Sequence, residues 1–214
     1  MKTVLRLLVA GCCLAATFLA QAAAYDDFLN AVKNGNVAET AQWLRRGIDP
    51  NTIDPSGMPV LHLAAHGGFG DVVKALADAR ANLNLRNPAR ESAVMLAALG
   101  GHKSVVEFLL SRDAHVNHPG WTALVYAATS GHTAIVTILL DNHAYIDSAP
   151  ANGMTALMMA ARGGHVETVK LLLEEGADPT LKNDLGQSAS EVARLAKNTD
   201  IAGMIEAKAK VFGR

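Results

Sequence analysis

The stretch Gly57–Ala65 reads GMPVLHLAA, and four later segments of the chain repeat its form. The copies are RESAVMLAA at residues 90–98, GWTALVYAA at 120–128, GMTALMMAA at 153–161 and GQSASEVAR at 186–194. The step between successive copies is constant, except that the step from position 90 to position 120 is shorter than the others. A fixed period of about 20 to 50 residues is the signature of repeat architectures, so this periodicity decides the fold class.

The second half of each unit repeats as well. A Gly-His pair precedes an apolar stretch in three units, at residues 101–102, 131–132 and 164–165, and Gly68-Phe69 is the matching pair in the unit before them. The first half is rich in alanine, and the second spaces its apolar residues at helical intervals. Each unit is therefore predicted to contain two helices joined by a loop whose glycine adopts a left-handed conformation. Residues 35–51 keep the same phase, so six units cover about residues 25–210.

A turn, a short helix, a glycine-bearing loop and a second helix in each period resemble the ankyrin repeat. That family's motif T-P-L-H-x-A-A is carried most closely by Pro59–Ala65, in which His62 keeps the histidine. Thr122 and Thr155 keep the threonine of the motif but lack the proline. The resemblance implies an all-α ankyrin-repeat solenoid of stacked helix-turn-helix units with short β-hairpin-like turns, about six units including two caps.

The resemblance also divides the chain into units. We expect a signal peptide at 1–24, an N-terminal capping ankyrin unit at 25–53, ankyrin repeats at 54–86, 87–117, 118–149 and 150–182, and a C-terminal capping unit and tail at 183–214. The step from position 90 to position 120 is short because three residues are missing from the turn at 117–120. We expect a shortened hairpin in that turn.

The composition suits a packed protein and excludes several functions. Half of the 214 residues are hydrophobic, 18% are charged, and the formal net charge is −1. The chain can therefore form a core, and it lacks the basic excess of a nucleic-acid-binding protein. The two cysteines, Cys12 and Cys13, are adjacent, which predicts neither a disulfide framework nor a cysteine zinc site. Because no nucleophile elbow or phosphate-binding loop occurs, we expect no enzyme activity.

The segment 1–24 is predicted to be a secretory signal peptide. Two basic residues are followed by an uncharged, mostly apolar run at 7–20 and then by small residues. As a helix that run is only about 21 Å long, short of a hydrocarbon core of about 30 Å, so a retained membrane anchor is less favoured. Cleavage after Ala22 or Ala24 would leave a chain without cysteine, which suits the bacterial periplasm. An alternative is lipid attachment at Cys12, because residues 9–12 resemble a lipoprotein processing box.

Eight histidines invite a metal-site hypothesis, which the repeat spacing disfavours. His102, His132 and His165 occupy one equivalent position in successive units. Stacked units lie about 10 Å apart, whereas zinc ligands must lie within about 2.1 Å of the metal, so these histidines cannot share an ion. The resemblance implies that they tie loops together. We expect no metal and no cofactor.

A protein-binding surface remains the main candidate for function. In the ankyrin family, partners are held by the turn tips and the exposed side of the first helix, which form a concave face. The corresponding positions here lie just after the turn glycine and just after the Ala-Ala pair. They are Met58, His66, Glu91, Leu99, Trp121, Thr129, Met154 and Arg162. Four of them are expected to form an apolar stripe: Met58, Leu99, Trp121 and Met154.

This interpretation predicts a monomer that binds another protein in the periplasm and does no chemistry of its own. Its partner is expected to be neither nucleic acid nor membrane. An alternative for Trp121 is that it folds back onto the shortened turn and fills the gap left there. Two other functions stay open: a metal or small-ligand sensor that uses His66, His115 and His118, and an envelope scaffold tethered by lipid at Cys12.

Overall fold

The computed structural model of the protein describes residues 23–212. Within that range the chain forms twelve α-helices and two isolated β-bridges, which confirms the predicted all-α solenoid. The helices are α1 (23–33), α2 (Val37–Arg45), α3 (Val60–His66), α4 (Gly70–Asp78), α5 (Ala93–Leu99), α6 (Lys103–Ser111), α7 (Ala123–Thr129), α8 (Thr133–Asp141), α9 (Ala156–Gly163), α10 (Val166–Glu174), α11 (Ala189–Leu195) and α12 (Thr199–Ala209). Within residues 23–212, no helix combines the length and the apolar character that crossing a membrane requires.

The helices stack in two rows. The first helices of successive units contact one another in the order α3, α5, α7, α9 and α11, and the second helices follow from α2 to α12. The alanine pairs of the first helices are completely buried where neighbouring units meet, at 64–65, 97–98, 127–128 and 160–161. Small side chains therefore let these helices approach closely, as the sequence predicted. Both rows supply large core side chains: Leu61, Met95, Leu124 and Leu157 come from first helices, and Leu76, Leu109, Leu139 and Leu172 from second helices.

Most of the first helices begin at a residue suited to an N-terminus. The side chains of Ser92, Thr122, Thr155 and Ser188 accept a hydrogen bond from the backbone N–H three residues further on. Such caps satisfy one of the free N–H groups at a helix start. The first copy has Pro59 there instead, which makes no side-chain cap. The threonine position of the repeat motif thus fixes where the first helix begins.

Three of the five turns between units are closed as hairpins. The backbone N–H groups of Asp54, Asn87 and Asn183 each donate to the carbonyl oxygen four residues on, at 2.8, 3.0 and 3.0 Å. In each case the side-chain oxygen also accepts a bond from the N–H of that fourth residue. Asn and Asp favour this geometry because their side chains bond the nearby backbone.

The shortened turn does not form the hairpin that we expected. No backbone–backbone hydrogen bond closes the turn between residues 117 and 121 in the described structure. Asn117 stands three residues before Gly120, as Asn87 does before Arg90, but its side chain bonds the next unit instead. It accepts from the backbone N–H of Tyr145 at 2.9 Å and donates to the carbonyl oxygen of His143 at 2.8 Å. The expectation of a shortened hairpin is therefore wrong, and the chain runs through an open turn.

Candidate protein-binding surface

A series of histidine bonds holds the ends of the first helices. The Nε2 atoms of His102, His132 and His165 donate to the carbonyl oxygens of the residues after the preceding Ala-Ala pair, at 2.8, 3.2 and 2.9 Å. In the last unit the Asn198 amide donates to the carbonyl oxygen of Arg162, the equivalent residue, at 3.1 Å, and to that of Ala161 at 2.9 Å. The predicted loop-tying role of these histidines is confirmed. The accepting residues are His66, Leu99 and Thr129, so the histidines fix the backbone of three candidate surface positions.

Glycine makes these bonds possible. Gly101 and Gly131 have φ values of 76° and 72°, the left-handed conformation predicted for them. A Cβ atom added at either position would lie 2.6 or 2.5 Å from the ring of the next unit's histidine, His132 or His165. A larger residue would therefore push the ring away from its carbonyl acceptor. Repeat spacing and the rigid surface both depend on this contact.

The metal hypothesis finds no ligand set in the described structure. Among residues 23–212 no group of three or more His, Cys, Asp or Glu side chains is arranged to hold an ion. His66, His115 and His118 therefore do not form the three-ligand site that the sensor alternative needed. The rings of His115 and His118 lie together, with centroids 5.8 Å apart, as a pair.

Two methionines of the candidate face join neighbouring turns. The Met58 sulfur accepts a bond from the Asn87 amide at 3.5 Å, and the Met154 sulfur accepts one from Asn183 at 3.3 Å. Met58 is half-buried, and Met154 is only 9% exposed. The predicted apolar stripe is therefore interrupted at Met154. The sequence placed its backbone correctly but not its side chain, because the next turn covers it.

Glu91 braces its region of the stack. One carboxylate oxygen accepts a hydrogen bond from the Tyr126 hydroxyl at 2.5 Å, and the other accepts one from the Asn87 amide at 2.7 Å. Burial, followed by the bond to Glu91, raises the pKa of Tyr126 above its usual value. Glu91 thus links its own turn to α7, the first helix of the next unit, rather than offering a free carboxylate.

Trp121 stays open at the shortened turn. It is 37% exposed, and its ring packs against Tyr126 with a centroid separation of 5.5 Å and an interplanar angle of 38°. Met154 is held by the amide of Asn183 in the following turn. The equivalent residue in the turn that follows Trp121 is Pro150, which has no side-chain donor. The ring does fold back onto the helix of its own unit, and one part of it still faces solvent.

The positions after the Ala-Ala pairs differ in exposure. His66 and Arg162 are exposed, whereas Leu99 and Thr129 are half-buried. The Thr129 hydroxyl donates to the carbonyl oxygen of Val125 at 2.7 Å, so its hydrogen is bonded within its own helix. Charged and polar groups therefore flank the open apolar residues of this face.

An apolar groove at the C-terminal end was not predicted. Leu185 and Leu195 are 79% and 68% exposed, and both line a groove of about 530 Å³ that also contains Arg162 and Met154. Leu195 occupies the same repeat position as Arg162 in the next unit, so the register of the repeat could have identified it. Leu185 carries a weaker signal, an apolar residue between Asp184 and a glycine at a turn tip.

A stack of paired helices with a rigid, chemically mixed face defines the chain as a helical-repeat protein. A family model described as ankyrin repeats (3 copies) matches residues 28–119 and 113–183. These matches span more than half of the chain, which therefore belongs to the ankyrin repeat family. Ankyrin repeats are protein–protein interaction modules and are generally without catalytic activity.

Three similar proteins are named for ankyrin repeats or for a regulatory role. Notch-regulated ankyrin repeat-containing protein of Xenopus laevis is 33% identical over 89 residues, which cover 40% of this chain and 78% of that protein. Protein phosphatase 1 regulatory subunit 27 of Homo sapiens is 28% identical over 88 residues, covering 41% of this chain and 57% of that protein. Cyclin-dependent kinase inhibitor 2A of Monodelphis domestica is 40% identical over 83 residues, covering 37% of this chain and 48% of that protein.

Proposed function

We propose that this protein is exported to the periplasm and binds another protein there through the face made by its turn tips and first helices. The observation that carries this proposal is the groove containing Leu185 and Leu195, two apolar side chains that are mostly exposed to solvent. Adjacent apolar side chains with an arginine beside them are typical of interface centres. Arg162 supplies the flanking charge.

Rigidity supports the same proposal. The histidine bonds hold the backbone of the face before any partner arrives, so binding orders few new groups. A preorganised surface loses less conformational entropy on association than a flexible one. Burying about 100 Å² of apolar surface contributes about 2.5 kcal/mol, so two exposed leucines can act as anchors.

The relatives' names point to action on other proteins. One is named a regulatory subunit and another an inhibitor. We carry over only this general mode, binding without reaction chemistry. The identity of the partner is set by side chains on the face and not by the repeat scaffold.

The periplasmic part of the proposal rests on the leader. Cys12 and Ala22 lie outside the described residues, whereas Ala24 lies in α1, and the mass of the mature protein is the test. A mass that matches a chain starting directly after Ala22 or Ala24 supports export as a free chain. A lipid-modified Cys12 would instead support the tethered scaffold, and an intact chain would contradict export.

Partner capture tests the binding face. The immobilised protein is incubated with periplasmic extract, and the captured proteins are compared between wild type and the variant Leu185→Ser/Leu195→Ser. The control is Tyr145→Ser/Val211→Ser, which removes two exposed apolar side chains outside the groove. We expect the groove variant alone to lose a specific captured protein. Equal capture by both variants, or equal loss, would contradict the proposal.

A further inference from the structure

The open turn leaves a cleft between two neighbouring turns. Arg86, Ala89 and Arg90 line one side, residues 119–121 with the Trp121 ring line the other, and the cleft has a volume of about 290 Å³. Sites for small ligands begin at about 300 Å³, so this space suits one or two side chains of a partner.

Basic groups meet here without acidic partners. The buried Nε of Arg86 and the buried Nε2 of His118 have no hydrogen-bond partner among the described residues. None of the ion pairs found between residues 23 and 212 includes Arg86 or Arg90. Glu91 follows Arg90 in the chain, but Tyr126 and Asn87 already occupy its two carboxylate oxygens. A buried donor without an acceptor is uncommon, so the Arg86 guanidinium keeps donor capacity that no described residue uses.

The charges in this cluster act against one another. Burial, followed by the positive charge of Arg90, lowers the pKa of Arg86. Burial, followed by Arg86 and His115, lowers the pKa of His118. An anion in the cleft would relieve this repulsion and would be held by it.

Arg90 occupies a backbone position where other turns have glycine. Its φ is 64°, and the equivalent Gly57 and Gly153 have φ values of 84° and 70°. A Cβ atom at Gly57 would lie 2.9 Å from Pro88, and one at Gly153 would lie 2.8 Å from Asn183 in the next turn. A Cβ atom at Gly120 or Gly186 would meet no atom within 4 Å, so the room for a side chain at this position differs from turn to turn.

A left-handed backbone disfavours any residue with a Cβ atom, and glycine occupies this position in four of the five turns. Arg90 is one of five non-glycine residues with this backbone conformation among the described residues, and the others are Arg80, Asp113, His143 and Lys197. The cleft thus combines two arginines outside any ion pair of the described residues with the exposed part of the Trp121 ring.

We propose that Arg86 and Arg90 bind a carboxylate of an acidic peptide segment in the partner, with the Trp121 ring covering an apolar side chain beside it. This inference rests on the proposed function, in that the partner is a protein. Guanidinium groups pair with carboxylates through charge-assisted bonds, often two in parallel. The whole chain has a net charge of only −1, so a single local contact is favoured over a long polyanion such as nucleic acid.

Trp121 fluorescence provides the test. The chain has two tryptophans, so Trp43→Phe leaves Trp121 as the only tryptophan reporter. The probe is the acetylated, amidated peptide Asp-Glu-Leu-Glu-Asp, and its uncharged match is Asn-Gln-Leu-Gln-Asn. We expect a saturable change with the acidic peptide at low salt, and binding weakened by about tenfold in Arg86→Gln/Arg90→Gly.

The control variant is Arg45→Gln/Arg80→Gln, which removes the same charge from two arginines outside the cleft. It should bind the acidic peptide as the parent does. Arg90→Gly alone should not lower the melting temperature, because glycine suits its backbone conformation better. A lower melting temperature would make Arg90 a structural residue and contradict its assignment to binding.

Four results would overturn the carboxylate site. They are equal weakening in both double variants, equal binding of the uncharged peptide, inorganic phosphate bound as tightly as the peptide, and stronger binding to phosphatidylglycerol vesicles. The proposed function fails separately. If Arg86→Gln/Arg90→Gly no longer binds the peptide but still captures the partner, the cleft binds a carboxylate outside the partner contact, and only its assignment to the partner is rejected. If the peptide binds and the groove variant leaves capture unchanged, only the groove is rejected.

Discussion

The regular turns and the shortened turn place equivalent side chains in opposite surroundings. In the turn at 183–187, Asn183 closes the backbone and also donates to the sulfur of Met154 in the turn before it. At 117–121 no such bond closes the backbone, and the next turn offers Pro150 where an amide would be needed. Met154 is therefore buried, whereas Trp121 at the same repeat position is 37% exposed.

This difference separates a position that supports the stack from an equivalent position that we propose to bind a partner. Where turns are complete, the residue before the helix cap joins two units and supports the stack. At the shortened turn Trp121 is 37% exposed at the same position, beside the cleft where we propose that a carboxylate of the partner binds. The residue that the following turn offers, Asn183 or Pro150, thus changes the role of a position that the repeat alone would make uniform.

The largest expected effect is on stability at the complete turn. Met154→Ala should lower the free energy of unfolding by about 2 to 4 kcal/mol, because it empties a buried site between two units. Met58→Ala is the matched control and should cost less, since Met58 is half-buried. Urea unfolding followed by circular dichroism measures both. A loss below about 1 kcal/mol for Met154→Ala would remove the distinction between the two kinds of turn.

A smaller effect is expected for the closing amide. Asn183→Ala should cost about 1 to 3 kcal/mol, because it leaves the backbone donors of Leu185 and Gln187 without their acceptor. Asn152→Ala, in an exposed turn with one such bond, should cost less. Thermal unfolding distinguishes the two variants. Equal losses would mean that burial of the closing residue does not matter.

The first turn adds a dependence on pH. Hydrogen bonds from Ser56, then from the Met58 backbone, together with Lys33 at 3.3 Å, lower the pKa of Asp54 to about 2. Because the folded pKa lies below the unfolded value of 3.8, the stabilisation is complete above about pH 4 and is lost as the pH falls through about 2.

Asp54→Asn keeps the turn geometry used by Asn87 and Asn183 and removes only the charge. We expect the variant to be less stable than wild type by about 1 kcal/mol at pH 7, and the gap to close between pH 4 and pH 2. Denaturant midpoints measured across that range provide the comparison. A gap that stays constant with pH would show that the charge contributes nothing.

Most of the fold could be predicted, because glycine, alanine and the Gly-His pairs recur in a fixed register. The exposure of individual side chains could not be predicted in the same way. Met154 and Trp121 share a repeat position, and only the presence of Asn183 or Pro150 in the following turn separates them. The exposure of Leu185 and Leu195 was not predicted. No further unit covers these two side chains within the described residues, and the repeat pattern does not indicate which unit lacks a neighbour.

Partner capture by Trp121→Ala, measured beside the melting temperature of the variant, tests most directly whether the shortened turn serves binding. Because Trp121 is partly exposed, we expect a stability loss below about 1 kcal/mol together with a clear loss of the captured protein. A variant that melts well below wild type and still captures the partner would contradict this assignment, because Trp121 would then be a packing residue like Met154.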